Sequence, residues 1–236
     1  MNICCSADYL SNSDKITVLV GLVTIVVLAI TAKVLYDTFK EIKASNEKNG
    51  AENMIIKHVE FHYRILQGME VRNSIKNGGI SATPPTVKGQ ESFKAFYEDL
   101  EHSYKEETQK NPSKSETAKI IASFQDIYNN SGGNFGHYFK NLYALLRYIH
   151  NIKIEGFDKC QYIKLIKAQL SEYELLLLYY DCIWIKGDKQ DEDEIEFMEL
   201  VIQYNILTAL NTNRLIHPIF HKGLFPENSE IEVLCK

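Results

Sequence analysis

The chain has 236 residues, of which 45% are apolar and 24% are charged, and its formal net charge is −5 at pH 7. These proportions are ordinary for a packed protein and exclude a wholly disordered chain. The acidic balance argues against DNA as an expected partner, because phosphate binding needs a basic surface.

The first predicted element is an apolar helix near the N-terminus. Residues 16–32 carry no charge, and Lys15 and Lys33 flank them. In a helix this stretch spans about 26 Å, and extension to Tyr36 gives roughly 31 Å, which matches the hydrocarbon core of a bilayer. A buried soluble helix is the alternative, but apolar residues all round the helix with no polar stripe fit lipid better.

The residues before this helix do not suit a cleaved signal peptide, because Asp8 and Asp14 precede it where a basic start is usual. We therefore expect a short tail over residues 1–14 and a single transmembrane helix over residues 15–36. A juxtamembrane helix and linker should follow over residues 37–53.

The lysines flanking the predicted span indicate its orientation. Lys15 is the lysine before the span, whereas Lys33, Lys40, Lys43 and Lys48 follow it. The positive-inside rule then places the N-terminus outside a bacterial inner membrane and the large C-terminal domain in the cytoplasm.

The five cysteines show no zinc-finger or CxxC spacing. Their odd number and wide scatter favour reduced or incidental thiols over a disulfide framework, which agrees with a cytoplasmic domain.

The remaining residues, 54–236, read as one all-α domain of roughly six or seven helices. Apolar positions recur every three or four residues through most of this range, and no run of consecutive strands is evident. Breaks are expected at the Gly/Pro-rich residues 78–89 and at the sequence SGGN, residues 131–134. Ser113 with Glu116, and Ser171 with Glu174, have the spacing of helix capping boxes.

Residues 134–151, NFGHYFKNLYALLRYIHN, combine many aromatic and apolar side chains with several polar ones. The apolar side chains cover well over half of a helix, which predicts a central helix of the bundle with Tyr138, Phe139, Leu142 and Tyr143 in the core. The polar side chains do not share one face, so a catalytic cluster on this helix alone is not expected. They form a candidate interaction surface: His137, Lys140, Arg147 and His150.

A candidate catalytic pair lies near the C-terminus. Arg214 and His221 have six residues between them, as in the R-x(4–6)-H motif of HEPN ribonucleases, where Arg stabilises phosphate charge and His transfers protons. The motif is short, and Pro218 would interrupt a regular helix between the two residues. A tethered ribonuclease acting on RNA is therefore an alternative function.

Other motifs of enzymes and cofactor sites are missing from the sequence, including phosphate-binding glycine loops, HExxH, GxSxG and EF-hand loops. His58 and His62 are four residues apart and could share a metal, but no third ligand is evident, and a half-exposed helix face is the simpler interpretation. No metal or cofactor is expected.

Two segments carry a family resemblance. HYFKNLYALLRYIH, followed about 20 residues later by AQLSEYELLLLYYDCI, resembles the phage abortive infection family typified by AbiC. The resemblance covers roughly residues 54–212, with its most specific part in residues 134–184. It implies a bacterial anti-phage role in which the infected cell dies or stalls, and it carries no catalytic residues over to this chain.

Taken together, the sequence predicts a membrane-anchored abortive infection protein that acts through protein–protein interaction and self-assembly and perturbs the membrane. A lone span cannot form a channel, so this function requires a homo-oligomer or a defence-system partner protein. The second alternative is a non-toxic anchoring or regulatory subunit of a defence system. No enzyme activity is indicated outside the ribonuclease alternative.

Overall fold

The computed structural model describes residues 12–72, 86–188, 191–224 and 234–235. Residues 1–11 of the expected tail and most of the expected loop over residues 78–89 lie outside them, whereas residues 12–14 of the expected tail already belong to the first helix. The chain divides into two units, residues 1–50 and residues 51–236.

The first unit is helical wherever it is described, and it belongs to helix α1, Asn12–Gly68. Every large apolar side chain between Ile16 and Ile42 is more than half exposed. Among the described residues, α1 is the one helix long and apolar enough to cross a membrane. This apolar surface is therefore exposed among the residues that the structure describes.

The described residues of the second unit form the end of α1, a hairpin, and six further α-helices. The elements after α1 are β1 (Glu70–Arg72), β2 (Thr86–Lys88), α2 (Glu91–Lys110), α3 (Glu116–Asn151), α4 (Lys159–Gln169), α5 (Glu172–Asp188), α6 (Glu192–Gln203), two short 3-10 helices (Ile206–Ala209 and Thr212–Arg214) and α7 (Pro218–His221). This composition confirms the predicted all-α class.

Helix α3 is the centre of the second unit, since it packs against α2, α4, α5 and α6. The predicted core side chains Tyr138, Phe139 and Leu142 are at most 5% exposed. Tyr143 is half-buried and packs at the edge of the core. The aromatic stretch is therefore mainly the interior of the bundle, as its periodicity predicts.

Two predicted helix breaks are wrong. Helix α1 continues through the polar residues 46–53, and α3 continues through residues 131–134. A glycine in a helix costs about 1 kcal/mol relative to alanine, so tertiary packing can override it. At Gly136 an added Cβ would lie 2.9 Å from the hydroxyl oxygen of Tyr128, which is on the same helix, so the missing side chain leaves room for this ring.

The hairpin was not predicted, because its strands have only three residues each. Glu70, Val71 and Arg72 pair antiparallel with Lys88, Val87 and Thr86. The capping box predicted at Ser113 is also wrong, since the Ser115 hydroxyl accepts the bond from the Ala118 N–H at 3.2 Å.

The cysteines differ from expectation as well. Cys160 and Cys235 form a disulfide across 75 residues of sequence. Cys182 is free and fully buried. The spacing in sequence could not show this pair, because the C-terminal end returns to the start of α4 only through the tertiary fold.

Candidate functional site

A cleft of about 550 Å³ lies in the second unit, where the end of α1 meets α3, α4 and α5. Its walls are mostly apolar. Its polar or charged lining side chains are Glu60, His62, Tyr63, Gln67, Gln90, Tyr138, Gln169 and Glu174. The volume is within the range of small-molecule sites.

His62 contributes a buried imidazole ring to this cleft. The side chain is 7% exposed, and its ring centroid lies 4.3 Å from that of Tyr138. Its Nδ1 is 3.1 Å from the Asn141 Oδ1, whereas its Nε2 has no hydrogen-bond partner among the described residues. Burial lowers the pKa of His62, against smaller raising effects of the Asn141 bond and the Glu174 charge.

Glu174 is the buried acid of the cleft, with only 1% of its surface exposed. Its carboxylate accepts hydrogen bonds from the Tyr138 hydroxyl, from the Ser171 N–H at 2.7 Å and from the Gln90 Nε2 at 3.4 Å. Burial, followed by the charge of Glu174 and its hydrogen bond, raises the pKa of Tyr138 well above its usual range. Tyr138 is therefore a neutral donor to this carboxylate at physiological pH.

The local sequence explains the position of Glu174. The Ser171 hydroxyl accepts from the Glu174 N–H at 3.4 Å, while the Glu174 carboxylate returns to the Ser171 N–H, so the predicted capping box is confirmed. This arrangement places an acid in the first turn of α5, where the helix dipole favours negative charge.

Glu174 and His62 give this cleft buried hydrogen-bond acceptors. With the Asn141 oxygen facing Nδ1, this nitrogen carries the ring hydrogen, and Nε2 is left as a lone-pair acceptor. Its described lining residues include no Lys or Arg. The cleft therefore suits a partly apolar ligand with hydrogen-bond donors rather than a phosphate or another anion.

The predicted interaction surface is not one surface. His137 and Lys140 are exposed, whereas His150 is half-buried with its Nδ1 3.1 Å from the Tyr204 hydroxyl oxygen. Arg147 lies 3.1 Å from a carboxylate oxygen of Asp193 and 3.4 Å from one of Glu196. These three contacts connect α3 to α6 and to the segment directly after α6.

The candidate catalytic residues have separate surroundings. The exposed Arg214 guanidinium pairs with the Glu172 carboxylate, contacts the Tyr173 hydroxyl oxygen at 2.8 Å and lies 4.9 Å from that ring's centroid.

His221, in contrast, is completely buried. Its Nδ1 is 3.0 Å from the Tyr180 hydroxyl oxygen, and its Nε2 is 3.9 Å from a Glu116 oxygen. Burial lowers the pKa of His221 to about 4. A general acid or base works best with a pKa near the operating pH, so this environment does not favour proton transfer at neutral pH. The ribonuclease role stays a prediction.

The two histidines with possible metal-ligand spacing also face different neighbours. The His58 ring lies 5.6 Å from the Tyr148 ring, whereas His62 points to Asn141 and Tyr138. No group of three or more potential ligands occurs within the described ranges.

Sequence reasoning missed the cleft, because it treated His62 as a surface residue and Tyr138 as core alone. One signal was available: His62 falls in register with the apolar positions Val59 and Leu66.

Comparison with known proteins finds one family match. A family model described as "Putative phage abortive infection protein" matches residues 131–215. The matched range includes Tyr138, Asn141, Ser171 and Glu174, which are four of the residues in the hydrogen-bond network of the cleft. No curated protein and no solved structure matches. The family resemblance found in the sequence is thus confirmed over this range.

Proposed function

We propose that this chain is a membrane-anchored anti-phage defence protein that acts by abortive infection, through protein–protein interaction and self-assembly that perturbs the membrane. The family match over residues 131–215 carries the defence role. The uncovered apolar surface of α1 supports the anchor, because such a surface is costly to expose to water.

The defence role is tested by a phage plaque assay combined with counts of surviving cells. Cells that express the chain should form fewer plaques, and the infected cells should die or stall rather than recover. Normal plaque numbers over a broad phage panel, with the chain expressed alone and with its neighbouring genes, would contradict the proposal.

The anchor is tested by fractionation. The chain should stay in the membrane pellet after a carbonate wash, and a Val23→Lys/Val27→Lys double variant should be released. These substitutions put two charges into the apolar segment, where each costs about 2.5–3.5 kcal/mol at the centre of a span. A soluble wild-type chain would show that α1 does not span.

Two observations bear on orientation and point in opposite directions. The lysines after the apolar segment favour a cytoplasmic domain, whereas disulfides such as Cys160–Cys235 are typical of oxidising compartments. We propose the cytoplasmic orientation, because the lysines act on insertion itself. Two cysteines placed at bonding distance can remain reduced where the compartment is reducing.

Thiol labelling distinguishes these orientations. A reagent that cannot cross the inner membrane should label Cys4 or Cys5 in cells with a permeabilised outer membrane. A matched variant replaces both by Ser and carries Asn129→Cys, at an exposed position of α3. The proposal expects no labelling of this variant before lysis, and labelling of intact cells would reverse the orientation.

Self-assembly is part of the proposal because the chain is expected to have one membrane anchor. A single span cannot enclose a pore, so membrane perturbation requires several copies or a partner chain. Chemical crosslinking in membranes should give a ladder of discrete oligomers that becomes stronger after infection. A monomer before and after infection would favour the alternative of an anchoring or regulatory subunit.

Within this function we assign the cleft to recognition of the trigger or partner. Except for Gln90, its polar residues come from the family-matched segment and from α1, the helix that also carries the apolar segment. His62→Phe keeps a ring against Tyr138 and removes both nitrogens, so abundance should stay near normal while defence is lost. The control is His58→Phe, outside the described lining of the cleft, and full defence by His62→Phe would remove the cleft from the function.

A further inference from the structure

A second pocket, of about 310 Å³, lies between α3, α5 and the start of α6. Five aromatic side chains contribute to its walls: Tyr128, Phe139, Tyr143, Trp184 and Phe197. The Tyr128 and Trp184 rings lie 5.0 Å apart, and the Tyr143 and Phe197 rings lie 5.7 Å apart, centroid to centroid. The pocket therefore exposes aromatic surface on two sides.

Asp181 is the buried acid of this pocket. Its side chain is 5% exposed and has no hydrogen-bond partner among the described residues. A buried carboxyl group is normally paired, because an unpaired one loses its hydration without compensation. Asp181 lines the pocket, so a group bound there could supply the missing partner.

The other acidic residues of the pocket have different roles. Asp191 caps α6 and accepts from the Asp193 N–H at 2.9 Å. Asp193 accepts from the Tyr143 hydroxyl and from Arg147, each at 3.1 Å. Glu194 lies near enough to Asp181 for its charge to act on that carboxyl group. Asp181 is therefore the acid available to a ligand, and its neighbours add negative potential.

We propose that this pocket binds an organic cation, an ammonium or guanidinium group, between its aromatic walls and Asp181. Aromatic faces attract cations through their quadrupole, and a carboxylate adds a charge-assisted hydrogen bond. An anion is disfavoured by the four acidic lining residues, and a neutral apolar ligand would leave Asp181 unpaired. The shared chemistry fits either a free organic cation or a Lys or Arg side chain of a partner protein.

The proposed binding of a cation at Asp181 should depend on pH. Burial, and then the charge of Glu194, raises the pKa of Asp181 to about 8. The other charged groups in the pocket's described lining are Asp191, Asp193 and Lys140. Cation affinity should therefore increase as pH rises from 7 to 9, because Asp181 loses its proton over this range.

The experiment measures binding to the full chain purified in a non-ionic maltoside detergent, by calorimetry at pH 7 and pH 9. One arm compares choline with its neutral isostere 3,3-dimethylbutan-1-ol. The other compares acetyl-argininamide and acetyl-lysinamide with acetyl-citrullinamide. We expect the cations to bind at least about tenfold more tightly than their neutral counterparts. Tighter binding in the first arm identifies a free cation as the ligand, and tighter binding in the second identifies a partner's side chain.

Two variants change the affinity in opposite directions. Asp181→Asn keeps the shape of the side chain and removes its charge, so it should weaken cation binding about tenfold or more and abolish the pH dependence. Lys140→Ala removes a competing ammonium group from the lining and should strengthen binding severalfold. Glu199→Gln, an exposed acid of α6 outside the pocket's described lining, is the matched control and should change nothing.

Equal binding of a cation and its neutral isostere would overturn the proposal, as would the absence of binding by any of the cations at millimolar concentration. Wild-type affinity in a folded Asp181→Asn protein would overturn it as well. Because binding is measured on the purified chain, its failure is separate from failure of the defence role.

Discussion

The Tyr138 hydroxyl of α3 donates a hydrogen bond to the Glu174 carboxylate of α5, and both side chains are buried, with 1% exposed in each. Within the family-matched range, this bond joins the aromatic stretch of α3 to the capping box that starts α5. The aromatic stretch thus combines core packing with one polar connection into the cleft.

The first prediction concerns that bond. Tyr138→Phe removes the hydroxyl and leaves the buried carboxylate with fewer donors, so the free energy of unfolding should fall by about 1–3 kcal/mol. Urea unfolding of the detergent-purified chain measures it. The control is Tyr143→Phe, whose half-buried hydroxyl also donates to carboxylates, on α6, but close to solvent. It should cost less than about 1 kcal/mol, and an equal cost in both variants would contradict the special role of Tyr138.

The second prediction separates packing from surface on α3. Phe139→Ala should lower the free energy of unfolding by about 3–5 kcal/mol, and Leu142→Ala by about 2–5 kcal/mol, because each leaves a cavity in the core. His137→Ala and Lys140→Ala, at exposed positions, should stay within about 0.5 kcal/mol of the wild type. Thermal unfolding and protein abundance in cells measure the effects of the two core variants and the two surface variants.

Defence measured at matched protein level completes this comparison. If Phe139→Ala keeps normal thermal stability and abundance yet loses defence, the stretch is a functional surface rather than core. If His137→Ala or Lys140→Ala loses defence with its fold intact, the helix also carries a binding face.

The third prediction is a pH dependence caused by His221. Its pKa in the folded chain is about 4, below the unfolded value of about 6.5, so only the unfolded chain takes up this proton between these two pH values. The contribution to stability is fully present above pH 6.5 and is lost as pH falls towards 4, by up to about 3 kcal/mol.

This dependence is measured by unfolding the wild type and His221→Gln at several pH values. The variant should show a shallower loss between pH 6.5 and pH 4, whatever its absolute stability. Parallel curves for the two proteins would show that His221 is not held neutral by burial.

The fourth prediction tests the ribonuclease alternative. Because His221 is buried, its variants can lose defence through unfolding, so Arg214 is the better test. The alternative requires Arg214→Gln to abolish defence, since loss of phosphate-charge stabilisation typically costs 10²-fold or more in rate. The membrane account expects defence to persist at matched abundance. Tyr173→Phe, which removes the hydroxyl group that Arg214 contacts, is the control for structural effects at this surface.

The fold was predictable where the apolar period was long and unambiguous. The all-α class, the core of α3 and the capping box at Ser171 all follow from spacing within one helix. Helix ends at glycines were predicted wrongly, because a glycine inside a helix costs only about 1 kcal/mol, and α1 and α3 continue through these positions.

The sites were harder to predict, because each gathers residues from distant parts of the chain. His62 and Asn141 are 79 residues apart, and Tyr138 and Glu174 are 36 apart. The Cys160–Cys235 bond spans 75 residues. The spacing of residues within one helix cannot predict such pairs. The packing of α1, α3 and α5 brings together His62 with Asn141 and Tyr138 with Glu174.

The most direct test of the central claim is infected-cell survival in liquid culture, with the wild type and the Val23→Lys/Val27→Lys variant expressed at matched abundance. At high phage dose, cells carrying the wild type should die without releasing phage. Cells carrying the variant should lyse and release phage as cells without the gene do. Undiminished protection by a variant that fractionates as soluble protein would contradict a membrane-anchored abortive infection mechanism.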